Sequence, residues 1–194
     1  MKNGQDLQKI QKIIISVKQI YSAFTFSGLT TILYFCLHSQ MAVMLKLILI
    51  RTNSDNTDFR ALVKDLDADL KIRDGEDHAF YAQFNKIDRI KYVVVAYEND
   101  LPVGCGALKE YSEGVMEVKR MFVPLANRGK GIASIVLAEV ESWAKELKAT
   151  KCILETGIKQ TEAIALYQKC GYSRIPNYGQ YENVENSLCF EKNL

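Results

Sequence analysis

The chain has 194 residues, of which 48% are hydrophobic and 25% charged, with only 3 Pro and 11 Gly. This composition indicates a globular protein with room for one domain and an appendage, and it excludes the disordered, collagen-like and disulfide-scaffold classes. The formal net charge of +2 is uneven, because residues 1–50 carry +4 and the remainder carries −2. The globular part therefore lacks the basic surface that binds a nucleic-acid backbone.

Cysteine and histidine usage argues against metal and triad chemistry. The 5 cysteines are odd in number, form no C-x-x-C pair and lie mostly in apolar runs, which favours reduced, buried thiols in a cytosolic protein. His38 and His78 have no patterned Cys, Ser or acidic partner nearby. Neither a zinc site nor a His-based triad is therefore expected.

Residues 1–43 are expected to form an appendage to the main domain. No Asp, Glu, Lys or Arg occurs between Lys18 and Lys46, so this run is compatible with a marginal membrane segment or with a helical appendage. Ser and Thr residues dilute it, and no small-x-small cleavage site follows. We favour a third interpretation, in which the natural start is Met41 or Met44 and the preceding part is an upstream extension.

The pattern after the appendage predicts a strand, two helices and an antiparallel meander. Leu45 to Arg51 alternates as a strand does, and Asp58 is the expected N-cap of a helix with apolar residues at helical spacing. Residues 76–87 predict a second, weaker helix. Three strand-like runs separated by turns follow at residues 92–97, 103–109 and 115–123.

The second half predicts a parallel strand pair within this sheet. A change of hydrophobic period indicates a long helix over residues 129–148, followed by a strand at 152–155. Strand, helix and strand in this order imply a right-handed crossover and a parallel pair. A helix over residues 162–169, closed by Gly171, and strands near 172–175 and 187–191 complete an α/β sheet of about seven strands.

The most informative segment is the glycine-containing loop that opens the long helix. Free N–H groups at a helix start attract anions, and Gly129 and Gly131 would allow a phosphate to approach. The neighbouring cations Arg128 and Lys130 are unfavourable there unless a bound anion offsets them. From the glycines alone, a pyrophosphate site and a tight, solvent-facing loop both remain open.

The loop matches neither of two common nucleotide motifs. It has no glycine at the Walker spacing, and Ser134 occupies the third glycine position of the dinucleotide fingerprint. The pattern R-x-x-G-x-A of Arg128, Gly131 and Ala133, after a strand ending in M-F-V, resembles the acyl-CoA-binding signature of the GNAT N-acetyltransferase superfamily. The resemblance covers the expected domain, residues 44–194.

Further segments carry the same resemblance in the same order along the chain. They are G-C-G-A-L-K-E at 104–110, E-V-K-R-M at 117–121, L-E-T-G at 154–157 and A-I-A-L-Y-Q-K-C-G-Y at 163–172, and they are similar to a bacterial subgroup of these acetyltransferases. The resemblance implies the GNAT fold, a mixed and mostly antiparallel sheet whose central parallel pair is splayed and which helices flank.

The resemblance also implies acetyl-CoA as the cosubstrate. Backbone groups of Met121 and Val123 would bond the pantetheine arm, and loop amides would hold the pyrophosphate. Gln160 stands near where the family often has an Asn, and this departure weakens its assignment. The implied cofactor contacts are Met121, Phe122, Val123, Arg128, Gly129, Lys130, Gly131, Ile132, Ala133 and Gln160.

Three residues are candidates for the chemistry. Tyr167 matches the tyrosine that protonates the departing CoA thiolate in many family members, and the alternative is a half-buried packing tyrosine. An amine must lose a proton to attack a thioester, so a carboxylate at the splay is the natural base. Glu117 and Glu155 both fit this role, although Glu117 could equally face solvent or pair with a nearby cation.

Acceptor recognition is expected from the early helix pair and from the loop at residues 176–181. Tyr178 and Tyr181 of this loop could form the wall of a small pocket or belong to a surface loop.

The sequence thus predicts a cytoplasmic, metal-independent N-acetyltransferase acting by direct transfer on a small-molecule or amino-acid-like amine. Protein N-terminal or lysine acetylation and a non-catalytic acyl-CoA sensor are the alternatives. No nucleic-acid or membrane partner is expected, and a homodimer is compatible with the pattern.

Overall fold

The computed structural model describes residues 47–83, 87–88 and 90–194. The expected appendage at 1–43 and the uncharged run before Lys46 lie outside this range. Among the helices of the described residues, none is both long enough and apolar enough to cross a membrane.

The first strand and helix form as predicted, but with a different cap. Strand β1 spans Leu47–Thr52 and helix α1 spans Thr57–Asp74. The N-cap is Asn56 rather than Asp58, because the Asn56 side chain accepts a hydrogen bond of 2.8 Å from the Phe59 N–H. Asp58 lies in the first turn instead, where an acidic side chain is favoured by the helix dipole.

The second predicted helix is much shorter than the pattern suggested. A 3-10 turn at Gly75–Asp77 leads into helix α2, His78–Ala82. Gly75 caps α1 with a φ of 61°, a conformation that glycine adopts without steric cost and that ends the preceding helix.

The meander consists of β2 (Tyr92–Glu98), β3 (Leu101–Ser112) and β4 (Val115–Phe122), paired antiparallel. Strand β3 is longer than predicted at both ends. Asn99 and Asp100 adopt positive φ values of 52° and 63°, which gives a tight two-residue connection whose twist suits a hairpin. Pairing therefore starts immediately, with Leu101 opposite Glu98.

The second half contains helix α3 (Ile132–Glu146), strand β5 (Lys151–Gly157), helix α4 (Thr161–Lys169) and strands β6 (Ser173–Ile175) and β7 (Ser187–Asn193). The sheet order is β1-β2-β3-β4-β5-β7-β6, and β4 and β5 form its parallel pair. Helix α3 begins at Ile132 rather than at Gly129, because Gly129 and Gly131 have φ values of 79° and 80°, which no right-handed helix contains. The mixed seven-stranded α/β sheet is as predicted.

The sheet has an apolar core on each face, which explains the unbroken apolar run of β2. Val94 and Ala96 pack into the cluster that includes α3 and Tyr167 of α4. Val93 and Val95 pack into the cluster that includes α1. Successive strand residues point to opposite faces, so a strand covered on both sides is apolar throughout.

Two irregularities open the middle of the sheet. Strands β4 and β5 pair only from Val115 to Glu117 on the β4 side, whereas β5 continues to pair with β7 as far as Gly157. Strand β4 also contains a bulge, where Arg120 and Met121 together stand opposite Gly106. Arg120 has a φ of 56°. A bulge bends its strand and re-aims side chains, so β4 turns away from β5 at this point.

Candidate active site

Two adjoining cavities lie where β4 and β5 separate. The larger one, called the cleft below, has a volume of ≈ 360 Å³. The smaller one, called the pocket, has a volume of ≈ 80 Å³. Four residues line both cavities, namely Leu66, Met121, Gln160 and Tyr167. Leu66 and Tyr167 belong to core clusters on opposite faces of the sheet, so the gap between the strands brings side chains of both faces together.

The loop before α3 forms one edge of the cleft. Gly131 is the N-cap residue and offers no side chain to cap the helix, so the first-turn N–H groups are available to a ligand. A Cβ atom added at Gly129 or Gly131 would meet no atom within 4 Å. The glycines are therefore required by their positive φ, and the space beside them is open.

The cations of this loop have partners within the protein. Arg128 donates to the Val123 carbonyl at 2.9 Å and to Asp69 at 3.2 Å, and Lys130 lies 3.5 Å from Glu98. Carboxylates thus balance both charges. Contrary to expectation, these cations do not by themselves require a bound anion, and the feature that favours an anion here is the uncapped start of α3.

A carboxylate and guanidinium network joins α1 to α4 at the edge of the cleft. Arg73 bonds Asp69 at 3.2 Å and Glu162 at 2.9 Å. The hydrogen bond from Arg73, reinforced by the Glu162 backbone N–H, lowers the pKa of Glu162 to about 2. Asp69, Arg73 and Glu162 all line the cleft, and no sequence motif marked them.

Most of the expected cofactor contacts are brought together. Nine of the ten line the cleft, and the exception is Lys130. The nine are Met121, Phe122, Val123, Arg128, Gly129, Gly131, Ile132, Ala133 and Gln160. Their convergence follows from the chain path, since the end of β4, the loop, the start of α3 and the start of α4 border one gap.

Tyr167 lies at the junction of the two cavities. It is 6% exposed, and its ring packs edge-on against Tyr172 at 5.8 Å between centroids. Burial, with a smaller contribution from the negative charge of Glu155, raises the pKa of Tyr167 above its ordinary value. The hydroxyl is therefore protonated at neutral pH and can act as a donor.

Glu155 is a half-buried carboxyl group in the pocket. Burial raises its pKa to about 7, the negative charges of Glu117 and Asp74 add to the rise, and Ser187 and Lys119 oppose it. Ser187 donates a hydrogen bond of 2.7 Å to Oε1. The Tyr81 hydroxyl lies 3.2 Å from the Ser187 hydroxyl and can donate to it, because the Ser187 proton is used for Glu155.

Glu117 also lines the pocket but is held differently. It is 5% exposed, so the alternative that it faces solvent is wrong. Its Oε1 accepts from the Tyr178 hydroxyl at 3.2 Å and from Lys119 Nζ at 3.3 Å. The alternative of pairing with a nearby cation is thus the observed one. These two donors hold the Glu117 carboxylate in place.

The two tyrosines of the loop at residues 176–181 lie in different places. Tyr181 is 3% exposed and lines the pocket as expected. Tyr178 lies behind Glu117, packs edge-on against Tyr111 and Tyr181, and lines neither the cleft nor the pocket. Its hydroxyl donates to the Glu117 carboxylate, so the structure places Tyr178 behind a pocket-lining residue, and its part in binding the acceptor stays a prediction.

Several pocket residues were not expected, namely Asp74, Tyr81, Lys119 and Arg120. The signal for two of them was present in the sequence, since Lys119 and Arg120 interrupt a strand that is otherwise apolar beyond Glu117. Charged residues in a buried strand are costly unless they are paired or functional. Within the ranges that the structure covers, no group of three or more His, Cys, Asp or Glu side chains is placed to hold a metal ion.

The comparisons with known proteins agree with this geometry. The model of the acetyltransferase (GNAT) family matches residues 59–172. An IAA acetyltransferase of Azospirillum brasilense is 39% identical over 102 residues, which are 52% of this chain and 67% of that protein. The acetyltransferase Atu2258 of Agrobacterium fabrum is 27% identical over 130 residues, which are 67% of this chain and 93% of that protein.

A solved structure extends the likeness to the whole fold. The crystal structure of a Klebsiella pneumoniae protein assigned as an acyl-CoA N-acyltransferase is 26% identical and has a TM-score of 0.65, covering 76% of this chain and 97% of that one. With a family model that matches more than half of the chain, this chain belongs to the GNAT acetyltransferase family and is a transferase.

Proposed function

We propose that the protein transfers the acetyl group of acetyl-CoA directly to the amine of a small-molecule or amino-acid-like acceptor. Family membership supports acetyl-CoA-dependent acetyl transfer. The acceptor class is inferred from the pocket of ≈ 80 Å³. Glu117 and Glu155 line this pocket, and it meets the cleft at Met121 and Tyr167. A pocket this small, bordered by Tyr81 and Tyr181, fits a small amine better than a protein segment.

The residues of the cleft fit acetyl-CoA. The uncapped first turn of α3 suits the pyrophosphate, and the cleft side of β4 beyond Glu117 lacks a pairing strand, so backbone groups of Met121 and Val123 suit the pantetheine arm. The Val123 carbonyl bonds Arg128 but has a second lone pair for the arm. When bound there, acetyl-CoA would supply an acetyl thioester whose carbonyl carbon is the electrophile.

Glu155 is the better general base of the two candidates. An alkyl ammonium has a pKa near 10 and must lose a proton before its nitrogen can attack. A carboxyl group with a pKa of about 7 accepts this proton more readily than an ordinary glutamate and is still largely ionised above neutral pH. Glu117 Oε1 already accepts hydrogen bonds from Tyr178 and Lys119, so Glu117 suits binding of the ammonium group rather than proton transfer.

Tyr167 assists the leaving group. As the new C–N bond forms and the C–S bond breaks, the electron pair stays on sulfur, and the proton lost by the amine goes to Glu155. Tyr167, which lines both cavities, donates a hydrogen bond to the sulfur and passes its proton to the thiolate. The proton that Glu155 took from the amine then restores the Tyr167 hydroxyl, so that no charge is left on the protein. Because burial raises its pKa, it stabilises the thiolate mainly as a hydrogen-bond donor before the proton moves.

Replacing Tyr167 with phenylalanine tests the donor role. We expect Tyr167→Phe to lower kcat by about 100-fold or more, the usual contribution of a positioned proton donor, and to leave the Kd for acetyl-CoA unchanged. CoA thiol release and calorimetry measure the two quantities. The control is Tyr172→Phe, since Tyr172 packs against the same ring but lines neither cavity. Full turnover in Tyr167→Phe would contradict the assignment.

An aspartate at Gly131 tests the anion site. We expect Gly131→Asp to abolish measurable acetyl-CoA binding, because a carboxylate would occupy the space in which the pyrophosphate is bound. Gly114→Asp is the matched control, since Gly114 has a similar φ of 71° but lies outside both cavities. If calorimetry gave the same Kd for both variants, the loop would not be the phosphate site.

Removing the Ser187 hydroxyl tests Glu155 as the base. The lost hydrogen bond of about 1 kcal/mol destabilises the carboxylate, so the pKa of Glu155 rises from about 7, by about 0.7 on the pH scale. Because only the ionised carboxyl group accepts a proton, the acidic limb of kcat/KM against pH should move to higher pH in Ser187→Ala, with activity recovered at alkaline pH. Glu155→Gln should remove this limb. An unchanged pH profile in both variants would exclude Glu155 as the base.

A further inference from the structure

The pocket is lined by charges of both signs. Its carboxylates are Asp74, Glu117 and Glu155, and its cations are Lys119 and Arg120. Lys119 forms an ion pair with Glu117, with 3.3 Å between Lys119 Nζ and Glu117 Oε1. Binding an amine requires the carboxylates, but proton transfer from an amine gives no reason for a second buried cation.

Arg120 is held in this position at considerable cost. The residue is 7% exposed, its φ of 56° is rare for a residue with a side chain, and burial lowers its pKa although Asp67 opposes the change. Its hydrogen-bonded partner, the Asp67 carboxylate, is 47% exposed. A buried guanidinium paired with one half-exposed carboxylate is only partly compensated.

The guanidinium also has an unused donor. Within the part of the chain that the structure describes, the buried Nε of Arg120 has no hydrogen-bond acceptor. A buried N–H without an acceptor costs about 1–3 kcal/mol, and more for a charged group. The planar fork of an arginine matches the two oxygens of a carboxylate, so an anionic group that enters the pocket would supply what Nε lacks.

We propose that the acceptor is a small zwitterion of the α-amino-acid class, whose carboxylate is bound by Arg120 while its amine faces Glu155. This inference rests on the proposed function and adds the substrate class. An amino acid carries one charge of each sign, which matches a pocket lined by both carboxylates and cations. The cavity of ≈ 80 Å³ also agrees in size, since it has room for about two to three water molecules at about 30 Å³ each, which suits the smallest amino acids.

Acceptors that differ only in the carboxylate test whether the enzyme requires this group. The full chain is assayed for CoA release with each of the common α-amino acids, with the corresponding amino-acid amides and with the corresponding decarboxylated amines. We expect at least one amino acid to be acetylated with a kcat/KM about 10- to 100-fold above that of its amide and its amine, the range of one charge-assisted hydrogen bond. Amides or amines used equally well would overturn the inference.

Variants identify the residue responsible. Arg120→Gln should raise KM for the amino acid at least 10-fold, leave KM for its amide and for acetyl-CoA unchanged, and so remove the discrimination. Asp67→Asn, which removes the partner and keeps the guanidinium, should retain the discrimination. If Arg120 serves only to pair with Asp67, neither variant will change the ratio of amino acid to amide, and the inference is wrong. If the glutamine variant does not fold, Arg120→Lys replaces it in the test, because lysine keeps the positive charge. This variant should weaken the discrimination between amino acid and amide without abolishing it.

The outcomes separate this inference from the proposed function. If the chain does not bind acetyl-CoA by calorimetry, the proposed function itself fails. If acetyl-CoA binds and only amines without a carboxylate are acetylated, the proposed function stands and the zwitterion is excluded. If acetyl-CoA binds and no α-amino acid is acetylated, the zwitterion is excluded as well.

Discussion

Beyond Glu117 the strands β4 and β5 no longer share hydrogen bonds, and the rest of the site depends on this separation. The bulge at Arg120 and Met121 bends β4, while β5 stays paired with β7. The backbone edge left on β4 offers donors and acceptors to a ligand that lies alongside it. The same gap lets Leu66 from one face of the sheet and Tyr167 from the other line common cavities. A fully paired sheet would keep the two apart.

The two cavities differ in the polar and charged groups that they offer to a ligand. The cleft offers uncapped helix N–H groups to phosphate charges, with Arg128 held by Asp69 at its edge. The pocket holds Glu155, whose pKa of about 7 follows from burial near other carboxylates. Ser187 moderates this rise, so the carboxyl group remains able to accept a proton near neutral pH. Tyr167 faces both cavities as a protonated phenol, between the proposed sites of the thioester sulfur and the attacking amine.

Hydrophobic period alone predicted the sheet and its parallel pair, whereas the residues expected along the cleft were those implied by the family resemblance. From Gly129 and Gly131 alone, a pyrophosphate site and a tight loop both remained open, and the motif R-x-x-G-x-A decided between them. The pocket was harder to predict, because its residues come from α1, α2, β4, β5, α4 and the loop before β7, and only the fold brings them together. No pattern in the sequence marked Asp74 or Tyr81 as pocket residues. The hydrogen bond from Tyr178 to Glu117 joins residues far apart in the chain, which hydrophobic periodicity cannot predict. Lys119 and Arg120 could have been noted as charges in a buried strand.

Thermal unfolding of the full chain with increasing acetyl-CoA tests the central claim, that the gap between β4 and β5 is an acetyl-CoA site. A ligand that binds only the folded state stabilises it by about 2.7 kcal/mol at 100 times its Kd, which for a chain of this size raises the Tm by about 5–11 °C. We expect such a rise in the wild type and none in Gly131→Asp. An unchanged Tm of the wild type at millimolar acetyl-CoA, with no heat of binding by calorimetry, would contradict it.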